Sequence, residues 1–158
     1  MKIIDGGVTA SKGFLAAGLR AGIKQGKTNK DMAMIVSEQP AVAAGTFTRN
    51  IVKAAPVLWG KKIVEEQETV RAVVINTGIA NACTGKQGYE NVLTEAEEVS
   101  RALKISKEEV LVGSTGVIGQ QLPMDVIKEG IQMLVPQLKA DRDSSKDASW
   151  AILTTDTK

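Results

Sequence analysis

The sequence has 158 residues, 43% of them hydrophobic but only 3% aromatic, and a formal charge of +2. That is enough chain for one domain with an aliphatic core, expected to span residues 1–158. Weak charge, unclustered basic residues and the scarcity of aromatic stacking platforms argue against a nucleic-acid partner. No apolar run approaches membrane-spanning length, and the opening MKIIDGG lacks the apolar core of a secretion signal, so a cytoplasmic protein is expected. Cys83 is the sole cysteine, so no disulfide can form within the chain. The absence of histidine excludes a Ser-His-Asp triad, a Cys-His pair and a histidine metal site from this chain. No metal or bound cofactor is expected. Any general base is then a carboxylate, a lysine, an α-amine or a group from another chain.

Met1–Ala10 reads as a leader strand or loop. Gly13 to Gly22 is rich in small residues, and its glycines weaken a helix, so a strand or irregular backbone packed closely on a neighbour is expected. Gly26–Lys30 is a polar turn. Asp31–Ser37 reads as a strand broken by Gln39-Pro40, and Ala41–Thr48 as a second strand, the two forming a hairpin. Arg49–Ala55 is a polar connection, and Pro56 opens a helix carrying Val57, Leu58, Ile63 and Val64. Val70–Asn76 is a β-branched strand that runs into a small-residue loop, Thr77–Gly85. Tyr89–Leu103 is the strongest helix. Val92, Leu93, Ala96, Val99, Ala102 and Leu103 form its apolar stripe, with Glu95, Glu97, Glu98 and Arg101 opposite or flanking. A further helix from about Pro123 carries Ile127, Ile131, Leu134 and Val135 and ends or kinks at Pro136. Lys139–Ser149 reads as a loop and Ala151–Thr155 as a last strand. The order is mixed α and β, with small polar residues at strand ends.

The sequence is organised around Val110–Gln121, VLVGSTGVIGQQ. Val110, Leu111 and Val112 read as a buried strand emptying into the turn Gly113-Ser114-Thr115-Gly116, with Gly119 beyond it. A glycine turn between strand and helix frees backbone N–H groups to hold a phosphate or an oxyanion. Three readings stay open here: a nucleotide site at Gly113–Gly119, an oxyanion hole from the N–H groups of Thr115 and Gly116, or a tight turn without a ligand. The G-x-x-G-x-x-G spacing does not match a dinucleotide fingerprint. Thr84-Gly85-Lys86 fails as a phosphate loop, because Ala80 and Gln87 stand at positions that need Gly and Ser or Thr. Asn76 and Asn81 are expected to bond turn backbone. Cys83 is expected to be a small buried apolar residue, since it sits among small residues with no histidine or evident cation to activate it. Thr154, Thr155 and Asp156 are expected to end a strand, and Lys12 and Arg20 to be solvated.

Taken together, GFLAAGLRAGIK at 13–24, DMAMIVSE at 31–38, AVAAGTFTRNIVKAAPVLW at 41–59, NTGIANACTGKQGYE at 76–90, STGVIGQQLPM at 114–124 and AILTTDT at 151–157 resemble one family. It is the ornithine acetyltransferases, the bifunctional glutamate N-acetyltransferases of arginine biosynthesis. The resemblance runs along essentially the whole chain. It implies an α+β fold, a layered α/β sandwich of the DmpA/ArgJ-like type with mixed sheets and flanking helices. It also implies a precursor that cuts itself before a threonine, which becomes the nucleophile at the N-terminus of a β chain, in an assembly of two α and two β chains. The implied reaction moves acetyl from N-acetylornithine to glutamate through an acetyl-threonine, and some members also use acetyl-CoA. The family's oxyanion hole falls on Thr115 and Gly116, and a substrate-contacting threonine on Thr154. The nucleophile's ATML-like motif and the preceding KGSGM-like motif do not occur here. The chain therefore looks like most of an α chain, inactive alone. Thr77 and Ile79 replace the serine and second asparagine of the family's usual N-S-G-N-A-N-A-C-T-G. The same-fold alternative is an aminopeptidase or amidase that passes the acyl group to water.

Overall fold

The computed structural model describes residues 6–67 and 69–154. Four strands lie in the order β1-β2-β3-β4. They are β1 (Phe14–Leu19), β2 (Met32–Ala41), β3 (Val70–Ile79) and β4 (Val110–Val117). β1 pairs antiparallel with β2, from Phe14↔Ser37 to Leu19↔Met32, and β2 antiparallel with β3. β3 and β4 are parallel, from Ala72↔Val110 to Ile79↔Val117. Parallel neighbours need a long crossover, supplied here by helix α2 (Gly85–Leu103). The other helices are α1 (Ala55–Glu66), α3 (Met124–Leu134) and α4 (Arg142–Ala151).

Side-chain alternation on β1 and β2 sorts the helices into two layers. Ala17, Leu19, Met32, Met34 and Val36 point to one face, where they meet Trp59 and Ile63 of α1, Val92, Ala96 and Val99 of α2, and Ile127, Ile131 and Leu134 of α3. Ala16 and Ala33 point to the other and meet Ala148 and Ala151 of α4. That face is small for a reason: a Cβ added to Gly18 would lie 2.2 Å from the Asp147 carbonyl oxygen. Within Gly13–Gly22 the close packing on a neighbour is at Gly18, and the neighbour is α4; a Cβ at Gly22 would meet nothing within 4 Å.

Four expectations are corrected. Gln39-Pro40 does not end a strand: β2 runs through it, with a register shift between Val36 and Ala41 absorbing the proline. The hairpin of Ala41–Thr48 does not form. Both sides of β2 are taken by β1 and β3, and residues 42–50 have no regular structure. Residues 142–151 are a helix, so Ala151 closes α4 and starts no strand; Asp141 caps it, its carboxylate accepting the Ser144 N–H at 2.8 Å. Thr155 and Asp156 lie outside the described residues, as do the first five of Met1–Ala10, whose Val8–Ala10 form a 3₁₀ turn. Finally, Glu95 is not on the solvated side of α2. It is fully buried, beside Val92, Ala96 and Val99 on the inner face, and both carboxyl oxygens lack a partner among the described residues.

Burial pushes the Glu95 carboxyl up to about 8. The folded state therefore keeps a proton that the unfolded chain releases near pH 4.5. The Glu95 contribution to stability is greatest below that pH, falls as pH rises to about 8, and is flat beyond. The full swing is on the order of 3–5 kcal/mol. Glu95→Gln and Glu95→Met should therefore gain stability over the wild type between pH 5 and pH 8, measured by denaturant unfolding of the full-length protein. A difference independent of pH would show that Glu95 is not held neutral.

Candidate active site

β4 does not stop at Val112. Parallel pairing with β3 supplies ladder bonds through Gly113, Ser114, Thr115, Gly116 and Val117, overriding the low strand propensity of glycine. The turn expected at Gly113–Gly116 is thus a strand, and the loop lies at 118–122, ahead of α3. A strand-to-helix phosphate turn at Gly113, the geometry on which the nucleotide reading rested, is not formed.

Thr115 and Gly116 pair with Thr77 and Gly78. The two glycines meet backbone to backbone. A Cβ on Gly116 would sit 2.3 Å from the Gly78 carbonyl carbon and 2.7 Å from the Ile79 nitrogen, and both glycines have positive φ, +136° and +109°. No other residue fits this contact without strain.

Backbone direction then decides what each residue offers. In a parallel pair, successive residues face opposite neighbours. The Val117 carbonyl accepts the Ala80 N–H at 2.8 Å, so Val117 faces β3. The Val110 carbonyl accepts the Trp59 indole N–H at 2.9 Å from the outer side. Thr115, in phase with Val117, turns its N–H to β3, and Gly116 turns its own to the outer edge. Among the described residues, the Thr115 hydroxyl makes no hydrogen bond.

Two loops at the ends of β3 and β4 are stitched together. The Ser114 hydroxyl donates to the Ile79 carbonyl at 3.1 Å and accepts the Asn81 N–H at 2.9 Å. The Asn81 amide donates to the Gly88 carbonyl at 2.8 Å and accepts the Thr84 hydroxyl at 2.6 Å. The Gln121 amide donates to the Thr84 carbonyl at 3.0 Å, and the Gly119 N–H to the Ala82 carbonyl at 2.8 Å. Asn76 donates to the Ile79 carbonyl at 2.8 Å. Both asparagines thus bond loop backbone, as their residue type suggests. Cys83 does not follow expectation: with its neighbours Ala82 and Thr84 bound inward, it has φ +57° and is exposed.

The C-terminus of α4 arrives from the opposite face. Its last carbonyls lack helical partners, and two side chains take them. The Thr77 hydroxyl donates to Ala151 O at 2.8 Å, and the Lys24 ammonium to Leu153 O at 2.8 Å. Thr154 is thereby set over a cleft of about 720 Å³ that Thr115, Gly116, Gly78, Ile79, Lys24 and Gln120 also line. All three residues singled out for chemistry, Thr115, Gly116 and Thr154, border this one cleft. Thr155 and Asp156 are outside the described residues. Lys12 and Arg20 are exposed and away from its lining.

A family model described as "ArgJ family" matches residues 15–158. The chain belongs to the ArgJ family. It is similar to the arginine biosynthesis bifunctional protein ArgJ of Gloeobacter violaceus, 49% identical over 97% of this chain and 37% of the relative. It is 46% identical to the Streptococcus mutans ArgJ over 100% of this chain and 38% of that protein, and 46% identical to the chloroplastic ArgJ of Citrullus lanatus over 98% and 34%. The chain therefore spans little more than a third of these relatives. Two crystal structures match with a TM-score of 0.93: the Bacillus halodurans ArgJ at 40% identity and the Mycobacterium tuberculosis ornithine acetyltransferase complexed with ornithine at 42%. This chain fills 81% and 83% of those crystallised chains. The α+β fold with a mixed sheet is the ArgJ fold.

Lys24, Ser114, Thr77 and Gln121 also build the site of this ArgJ-family chain, and no local pattern marks them, because their roles come from loops brought together across the sheet. Ile79, which like Thr77 departs from the family's usual loop, is on the cleft wall.

Gly116→Ala should destabilise the full-length protein by about 2–4 kcal/mol, through positive φ and overpacking together. Gly119→Ala, where an added Cβ meets nothing within 4 Å at φ +80°, should cost only the conformational part, about 1–2 kcal/mol. Thermal unfolding of the two variants compares them directly. Equal losses would mean that the Gly78–Gly116 contact is not the constraint.

Proposed function

We propose that this chain is the greater part of the α chain of a glutamate N-acetyltransferase that moves acetyl from N-acetylornithine to glutamate. The observation that carries the reading is the convergence of Thr115, Gly116 and Thr154 on one cleft. The nucleophile is the N-terminal threonine of a β chain cut from the same precursor, and its own α-amine takes its proton. This solves the chemistry that a chain without histidine poses. The lengths of the relatives support a cut precursor. This chain fills about four fifths of each crystallised chain but little more than a third of the curated proteins.

In this reading the threonine oxygen attacks the acetyl carbonyl, and the oxygen of the tetrahedral intermediate meets two donors: the Thr115 hydroxyl and the Gly116 N–H. Strand phase commits the Thr115 N–H to the β3 ladder, so the side chain is the group left to donate. Such donors are worth about 3–4 kcal/mol each when held ready in a water-poor site. Ornithine leaves, and glutamate takes the acetyl group in a second attack of the same kind. Thr154 contacts the substrate from the α4 side. The assembly is two α and two β chains, and the setting is cytoplasmic, in keeping with the single unpaired Cys83.

Thr115→Val in the co-expressed complex should lower kcat about 10²–10³-fold with little change in KM, while Thr115→Ser keeps most of the rate. A Thr115→Val enzyme with normal kcat would transfer the role to backbone alone. The reaction itself is tested by following acetyl from N-acetylornithine to glutamate in the full-length protein. Hydrolysis with no transfer would make it an amidase of the same fold.

A further inference from the structure

The cleft has a charge that its oxyanion donors do not explain. Lys24 and Lys27 line it, and among the described residues no aspartate or glutamate does. Lys24 is the better placed. Its stem lies on Gly78, where an added Cβ would come within 2.9 Å of the Lys24 Cγ. Its ammonium donates to Leu153 O at 2.8 Å and to Lys30 O at 3.3 Å. An ammonium has three N–H donors, so two go to neutral carbonyls and the third has no partner among the described residues. Among the described residues no carboxylate lies within ion-pair distance of it. Asp31 attracts Lys24 but spends its own oxygens on the backbone N–H groups of Ala21 at 2.6 Å, Gly22 at 3.1 Å and Lys24 at 3.0 Å. Burial holds the ammonium below the ordinary lysine range, Asp31 only partly offsets that, and Lys27 pushes the same way as burial. A partly buried, under-compensated cation at a cleft wall is suited to an anion.

We propose that Lys24 is a specificity-determining residue of this cleft, its ammonium holding the α-carboxylate of the amino-acid substrate beside Thr154. The inference rests on the acetyltransferase reading for the identity of that substrate. Double displacement at one nucleophile makes donor and acceptor use one site in turn. N-acetylornithine and glutamate share the α-carboxylate and differ at the far end, where one carries an amine and the other a second carboxylate. A fixed cation serves both only through the shared group. The competing role is purely structural: Lys24 caps the end of α4 and nothing more.

Ornithine and ornithinamide separate the two roles, because neither carries an acetyl group and they differ only at the α-carboxylate. Binding of each to the full-length wild type, Lys24→Gln and Lys24→Arg would be measured by calorimetry. The expected result is about ten-fold or stronger preference for ornithine in the wild type, retained by Lys24→Arg and cut below about three-fold in Lys24→Gln. If Lys24→Gln does not fold, Lys24→Met, which keeps the stem over Gly78, takes its place. Undiminished preference in the neutral variant, no preference in the wild type, or no binding of ornithine would each overturn the proposal. Acetyl transfer, assayed on the same wild-type preparation, reports separately on the acetyltransferase reading. A Lys24-dependent preference without transfer would sink that reading and leave the carboxylate site standing.

Discussion

The backbone contact between Gly78 and Gly116 is the constraint from which the site follows. It allows β3 and β4 to stay in parallel register to Ile79 and Val117, past the point where a side chain would force them apart. The cost is conformational, since both residues sit at positive φ and one glycine faces the other. The gain is positional. Parallel pairing fixes which way each peptide of β4 faces, and thereby leaves the Gly116 N–H on the open side and the Thr115 hydroxyl over the cleft. For the oxyanion role proposed above, groups held by a strand ladder need no ordering as charge develops, whereas a flexible turn at the same place would.

The second wall of the cleft is built by a helix end. α4 packs on the small-residue face of the sheet, where Gly18 and Ala16 let it approach closely. Its C-terminal carbonyls are bound by Thr77 from β3 and by Lys24 from the loop between β1 and β2. That loop is itself wrapped on the Asp31 carboxylate. The hydrogen bonds that satisfy a helix terminus thus also hold the segment that brings Thr154 to the cleft lined by Thr115 and Lys24.

Much of this was legible in sequence, and the failures have physical causes. β3, α2 and α3 carry strong periodicity, and they were read correctly in kind because local pattern and tertiary environment agree, although β3 runs on through Thr77, Gly78 and Ile79, which were expected to be loop. α4 was missed because its buried residues are Ser144, Ser145, Ala148 and Ala151, which give almost no hydrophobic signal. Only close packing against glycine and alanine makes such a face worth burying. The β4 strand was cut short because Gly113-Ser114-Thr115-Gly116 looks like a turn by propensity, and the parallel partner that overrides propensity is about forty residues earlier in the chain. Thr115 and Gly116 were singled out by the glycine pattern and by motif resemblance, and Thr154 by resemblance alone. Lys24 was not singled out, since its place at the cleft comes from bonds to residues 30 and 153 that no spacing rule connects.

The two departures from the family's usual loop have unequal weight. Thr77 presents its hydroxyl to Ala151 O, a bond that serine makes equally well, so the added methyl changes packing against α4 and leaves the helix end tied. Ile79 is different. It pairs with Val117 at the last rung of the β3–β4 ladder and forms part of the cleft wall. An asparagine there would offer the cleft a donor and an acceptor, and isoleucine offers neither. Its carbonyl still holds Asn76 and Ser114, so the loop architecture does not need the lost amide. What the replacement removes is a polar group at the cleft wall. The polar side chains that remain on the described lining are those of Thr115, Thr154, Gln25, Gln120 and the two lysines, and Ile79 stands among them as an apolar patch.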